Sequence, residues 1–388
     1  MGCCTNFAYF CRQIRIDSLL EPQRCLFFLT PEGRVSRFFS DYLPAPLHLA
    51  RSFLRAHFLT AREKLRIGRG LAALRKAPEN ADPPFHAWLM EHGQTPRTVR
   101  RFWGLVLTSA LNETPDRIGL RYARKVFVDA FLRHRRGFEV EVPRVPLGRL
   151  YGEELQNWLD KHGIDLRLNS AVKRLTVSDT AIRGLELRDG SGDGAEWYVA
   201  ALPFGRLLDL LPADLIDSDL YFRNLRRLET SPITSVHLWY SRPIMDLPHA
   251  ILVDCEGQWI FNRGELDGGE WYYQVVVSAS RELRALGHEE IGRRITAEVA
   301  RLFPEAVRAE LRRSRVITEH HATFSAVPGV DQLRPSQTSP VKNLLVAGDW
   351  TATGWPATME GAVRSGYLAA ESILGRIGRP ERLVQPDL

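Results

Sequence analysis

The chain has 388 residues, 44% hydrophobic and 25% charged, an ordinary globular composition long enough for two or three domains. No apolar run reaches the length of about eighteen residues needed to cross a bilayer, and no basic, apolar and small-residue leader opens the chain, which argues for a cytoplasmic protein. The five cysteines, at 3, 4, 11, 25 and 255, form neither a CxxC pair nor a zinc spacing, which argues for reduced thiols and no metal.

The formal charge of +6 is concentrated between Arg51 and Lys76, where eight Lys or Arg face one acid, Glu63. Before that segment, residues 25–38 read as two short strands joined by a Pro-Glu-Gly turn, so a hairpin opens the chain. From Pro44 to about Arg136 the pattern is helical, punctuated by Pro78, Pro83-Pro84, Pro96 and Pro115. Within it Phe53, Leu54, Phe58, Leu65, Leu71 and Leu74 recur at near-helical spacing, giving an apolar face beside a basic one. Such a segment, 51–76, is either a peripheral contact with an anionic membrane, at its inner cytoplasmic face, or a solvated basic face on a packed helix. Its aromatic residues sit with the apolar set, which argues against nucleic acid.

Further along, Ala171–Val177, Ile182–Leu187 and Trp197–Ala201 predict a three-stranded meander with its turns at Asp179 and the Gly/Asp cluster 189–194. Strands follow at 233–239, 251–253, 259–261 and 271–277, then helices around Glu289–Phe303 and Glu305–Arg313. A buried-type strand, Asn343–Ala347, and a helix from about Thr358 to Leu374 complete the pattern.

The stretch NLLVAGDWTATGWPATMEGAVRSGYLAAESIL, Asn343 to Leu374, carries the chemistry. Its strand ends at Gly348, where a missing side chain lets a ligand approach the backbone. Asp349 follows with a carboxylate able to accept hydrogen bonds from hydroxyls, a polyol-binding arrangement. Trp355 and Pro356 close a loop that leads to Thr358, an N-cap that turns the first N–H groups of its helix toward the same ligand. Ala362, Gly366 and Ala370 fall four apart, with Gly361 and Ser365 beside them, predicting a close-packed helix face. The alternative is a small-residue packing helix after a core strand.

This stretch resembles the C-terminal FAD motif of the flavin amine oxidases and phytoene desaturases. The resemblance implies that Asp349 bonds the flavin ribityl chain and that the helix start at Thr358 and Met359 faces the flavin pyrimidine carbonyl. It adds Gly348, Pro356 and Ala357 to the FAD contacts, and Val172, in Asn169-Ser170-Ala171-Val172, at the adenine. The segments Gly2–Phe7, Leu43–Leu49, Gln258–Arg263 and Gly348–Thr351 are similar to those of the hydroxysqualene dehydroxylases, over essentially the whole chain. That likeness implies reductive dehydroxylation of hydroxysqualene, an apolar isoprenoid, to squalene on the route to hopanoids, with the proton donor unnamed. A carotenoid desaturase, an amine oxidase, or a truncated remnant completed by a complementing N-terminal polypeptide are the other readings.

The family opens with a strand, a G-x-G-x-x-G turn and a helix that hold the FAD pyrophosphate. The formal match here, Gly68-Arg69-Gly70-Leu71-Ala72-Ala73, follows the charged, helical Arg62–Ile67 instead of a buried strand, and Gly2–Phe7 resembles an internal family segment. The expected fold is α/β, with an incomplete Rossmann-like FAD-binding domain at 141–212 and 337–388. A mixed-sheet substrate domain takes 1–140 and 213–336, with a helical subdomain at 44–136. Such a chain is expected to leave the strand Asn343–Ala347 with an unpaired edge and, by itself, to hold FAD poorly.

Overall fold

The computed structural model describes residues 1–388. Its largest sheet has seven strands, in the spatial order Leu311–Phe324, Thr230–Tyr240, Glu270–Ser278, Trp259–Leu266, His249–Leu252, Cys25–Leu29 and Val35–Phe39. Neighbours are antiparallel, except that Cys25–Leu29 lies parallel to His249–Leu252. Alternation along the strands sends Val236, Leu238, Tyr240, Tyr273, Val275 and Val277 to one face. There the helix His288–Leu302 covers them with Ile291, Ile295, Val299 and Leu302, spaced to make one apolar stripe. Each such fully buried side chain stabilises by about 1.5–3 kcal/mol relative to exposure.

On the other side of the hairpin strands, Leu26, Phe28 and Ile251 join a second, larger core built by the helical block. The basic segment forms two helices, Ala50–Arg55 and Ala61–Lys76, where the sequence pattern predicts one continuous face. The break is fixed by a capping box. Thr60 Oγ1 accepts from the Glu63 N–H at 3.3 Å, and Glu63 Oε2 accepts from the Thr60 N–H at 2.7 Å. Gly70 lies inside the second helix, where a Cβ would meet the Trp103 ring at 2.8 Å. Gly68 and Gly70 are therefore helix residues and form no phosphate turn.

Several expectations are corrected. A helix, Thr5–Gln13, precedes the hairpin. Val172–Ser178 and Ala181–Leu187 pair as expected, but the third strand of their sheet is the two-residue Gly192–Asp193. Tyr198–Ala200 leaves to pair in parallel with Leu344–Val346, because Gly192–Asp193 already takes the place beside Leu185 and Glu186. The helix expected to reach Arg313 stops at Arg308, and Leu311–Phe324 is a 14-residue strand on Thr230–Tyr240.

The strand Leu344–Val346 also lacks the open edge expected of it. Tyr198–Ala200 satisfies one side. On the other, the Val346 N–H donates to Gln337 O at 2.9 Å, Ser339 Oγ donates to Leu344 O at 2.7 Å, and Thr338 bridges Leu345. Segment 337–339 thus takes up the groups that a missing neighbour would leave bare. The five cysteines are free thiols, and no helix is long and apolar enough to cross a membrane.

Candidate functional site

The strand Leu344–Val346 delivers the chain to Gly348, whose φ of +153° and whose absent Cβ, which would meet Trp350 Nε1 at 2.3 Å, both require glycine. The Gly348 N–H donates to Ser365 Oγ at 2.7 Å, which ties the strand end to the C-terminal helix, Met359–Arg376. That helix buries Glu360, Gly361, Ser365 and Ala369. The packed face is therefore offset by one position from the expected one, since Ala362 and Gly366 are exposed.

Asp349 is half-buried, and no other side chain donates to its carboxylate. Burial raises its pKa, opposed by the positive charge of Arg334. Thr358 caps the helix as expected, its Oγ1 accepting the Gly361 N–H at 3.1 Å. The N–H groups of Met359 and Glu360 keep no partner within the chain. Pro356 is buried, Ala357 half-buried against the larger core, and Met359 exposed. Gly348, Asp349 and Pro356–Met359 thus form one strand–turn–helix unit. Val172 stands apart, opening the strand of the neighbouring sheet. Asn343 links the two sheets, its Oδ1 accepting the Ile182 N–H at 2.8 Å and its Nδ2 donating to Ile182 O at 3.0 Å.

Two residues essential to this geometry escape the sequence reading. The first is Arg334, whose side chain is fully buried. Its guanidinium donates to Asp349 O at 2.9 Å, Trp350 O at 3.3 Å and Thr351 O, and is held by Asp331 Oδ1 at 3.0 Å, by the Tyr122 hydroxyl and by the Phe324 ring at 4.6 Å. Arg334 fixes the three carbonyls of the turn and so aims the Asp349 side chain. The second is Glu360, buried completely, which accepts from the Phe7 N–H and Asn6 Nδ2 at 2.8 Å and from the Asn6 N–H at 3.3 Å. It neutralises the N-terminus of helix Thr5–Gln13 and locks that helix to the motif helix. Arg334 belongs to no local pattern, and Glu360, although it lies within the stretch Asn343–Leu374, is marked for this role only by its burial against Asn6 and Phe7.

A carboxylate with free lone pairs, followed nine residues later by a capped helix start with free N–H groups, fits the hydroxylated chain and electron-rich ring edge of a flavin. The family profile described as flavin containing amine oxidoreductase matches residues 3–374. The chain belongs to that family. It is an oxidoreductase of a flavin-using family, and the matched span includes the strand, the turn and the helix as far as Leu374. The 15-cis-phytoene desaturase of Synechococcus elongatus is 26% identical over 410 residues, covering 97% of this chain and 84% of that protein. The hydroxysqualene dehydroxylase of Sinorhizobium fredii is 28% identical over 280 residues, covering 71% of this chain and 62% of that one. The chain spans 65% of the phytoene desaturase of Solanum lycopersicum, which it also matches. Among solved structures, an oxidoreductase from Methanosarcina mazei superposes with a TM-score of 0.70 at 13% identity, over 95% of this chain and 85% of that one. This likeness fixes the α/β fold.

Proposed function

We propose that the protein is an FAD-dependent oxidoreductase that acts on a long apolar isoprenoid, and that its reaction is the reductive dehydroxylation of hydroxysqualene to squalene. The observation that carries the substrate class is a cavity of about 340 Å³ enclosed by the hairpin and the helical block, with 17 of its 21 lining residues hydrophobic. Phe28, Phe53, Phe58, Phe102, Phe127 and Phe131 form much of its wall. Phe131 also packs in a cluster with Trp355, so the cavity wall is continuous with the loop that leads to Thr358. The two charged lining residues, Arg75 and Arg101, are cations, and a protonated amine would find no carboxylate there.

In this reading Asp349 and the Thr358 helix start hold the flavin, and the aromatic wall orients the hydrocarbon and excludes water. When bound, reduced flavin would supply a hydride to the carbon as the C–O bond breaks, the hydroxyl leaving with its electron pair and taking up a proton to depart as water while the flavin is left oxidised. The second reading is desaturation of a carotenoid precursor, an oxidation in the same cavity, and the long alignment with the Synechococcus phytoene desaturase favours it.

The chain, joined to a polypeptide that carries the family's strand and G-x-G-x-x-G turn so that FAD is retained, is to be incubated with hydroxysqualene under reducing conditions, and with phytoene and putrescine under oxidising ones. Squalene formation is the expected result. Conversion of phytoene alone would replace the first reading with the second, and oxidation of putrescine alone would overturn both.

A further inference from the structure

We propose that the mouth of the apolar cavity is a docking surface for an anionic lipid bilayer, built from loop 42–47 and the helices Ala50–Arg55 and Ala61–Lys76. The proposal rests on the preceding reading only for what passes through the mouth.

The cavity opens along these elements. Leu47, Gly68 and Ala72 line it and are also exposed to solvent. Around that opening stand large apolar side chains with nothing over them: Tyr42 is 97% exposed, Leu54 66% and Leu65 58%. Lys64 Nζ donates to Leu54 O at 2.6 Å, which draws the start of the second helix against the end of the first and brings Leu54 and Leu65 to one corner. Leu65 lies one turn before Gly68 and two before Ala72 on the helix, so the exposed leucine continues the stripe that lines the cavity.

Charge singles out one occupant. Arg51, Arg55, Arg62, Lys64, Arg66, Arg69, Arg75 and Lys76 form no ion pair, although the chain has 29 such contacts elsewhere. The acid of this segment, Glu63, is taken by Arg97 at 3.1 Å and by Thr60. Unpaired cations beside exposed leucines, at the lip of a hydrocarbon-shaped cavity, complement a surface that is anionic outside and apolar just beneath. A nucleic acid would meet the charges but leave the leucines bare, and a folded acidic protein would offer no hydrocarbon continuous with the cavity. Docked this way, the protein takes its substrate from the bilayer without passing it through water.

The test is co-sedimentation of the full 388-residue chain with vesicles of phosphatidylcholine, alone or with one-third phosphatidylglycerol. Binding to the anionic vesicles is expected to exceed binding to the neutral ones by at least about tenfold and to weaken with salt. Arg51→Glu/Arg62→Glu/Arg66→Glu/Arg69→Glu should lower it by at least about 100-fold, since each basic residue near the surface contributes about fivefold. Leu47→Ser/Leu54→Ser/Leu65→Ser should abolish whatever binding survives high salt. The exposed pair Arg284→Glu/Arg312→Glu, on other elements, should change nothing. Circular dichroism checks that each variant is folded, which the exposure of every altered side chain favours. Vesicle binding indifferent to both sets of substitutions would overturn the proposal. So would no binding by a folded chain, or displacement from vesicles by an RNA oligonucleotide that the chain binds more tightly.

Discussion

Replacing Arg334 with methionine keeps much of the side-chain volume and removes every charge-assisted bond to the carbonyls of the turn 349–351. The carbonyls of Trp350 and Thr351 are buried, and each, left unpaired, costs about 1–3 kcal/mol. Asp331 would keep its contact with Arg121 at 2.5 Å, so its carboxylate is not stranded, and the loss stays within the 3–5 kcal/mol typical of breaking a buried charged network. Arg334→Met is therefore expected to lower the free energy of unfolding by about 3–5 kcal/mol in urea titrations followed by fluorescence and circular dichroism. Arg334→Lys restores the charge without the planar fork, so it should recover less than half of that loss. A loss under about 1 kcal/mol in the methionine variant, or full recovery with lysine, would refute the claim that the fork holds the turn.

In the chain joined to a polypeptide with the family's G-x-G-x-x-G turn, Asp349→Ala should weaken FAD retention by about 1.5–3 kcal/mol, measured by flavin fluorescence during titration, and unchanged affinity would make Asp349 a structural residue only. Because burial raises the Asp349 pKa, the folded flavin-free chain binds this proton more readily than the unfolded one. Its charged form is therefore a cost above the raised pKa that disappears as pH falls through it. Asp349→Asn should stabilise the flavin-free chain at neutral pH, with the gain shrinking in acid, and a gain constant with pH would contradict this. His249 is buried among Phe27, Trp259 and Phe261 with neither ring nitrogen bonded, and burial lowers its pKa to about 4. Below the ordinary histidine value the unfolded chain takes up a proton that the folded chain refuses, so stability falls between about pH 6.5 and 4, by on the order of 3 kcal/mol. His249→Phe should flatten that fall in urea midpoints, and an unaltered slope would place the acid sensitivity elsewhere.

The parts of the site that were legible in the sequence are the local ones. A strand end, a glycine, an acid and a capped helix follow one another within a single stretch, and periodicity and cap chemistry are enough to place them. The strand Leu311–Phe324 was not legible, because Arg312, Arg313, Arg315, Glu319, His320 and His321 leave it almost without apolar alternation. Its extended state is imposed by pairing with Thr230–Tyr240. Helix Thr5–Gln13 is likewise held by Glu360 from the far end of the chain. Arg334 matters because of what closes around it, a property that no spacing in the sequence encodes. The offset of the packed helix face shows the limit of reading small residues alone, since Ala362 and Gly366 sit at the right interval on the wrong side.

Because Phe28 pairs with Ile251, the hairpin spanning 25–39 leaves the ribosome long before its partner strand exists. At about 5–20 residues per second the wait is roughly 10–45 s. Throughout it, the backbone groups of Cys25–Leu29 that later face His249–Leu252 form a bare strand edge with Phe27, Phe28 and Leu29 upon it. Arg34 and Arg37 lie on the turn and the outer strand, so they guard the other edge of the hairpin and leave this one without a charge. The half-made sheet is thus the stage of biosynthesis most exposed to aggregation, and the one where a chaperone has most to cover.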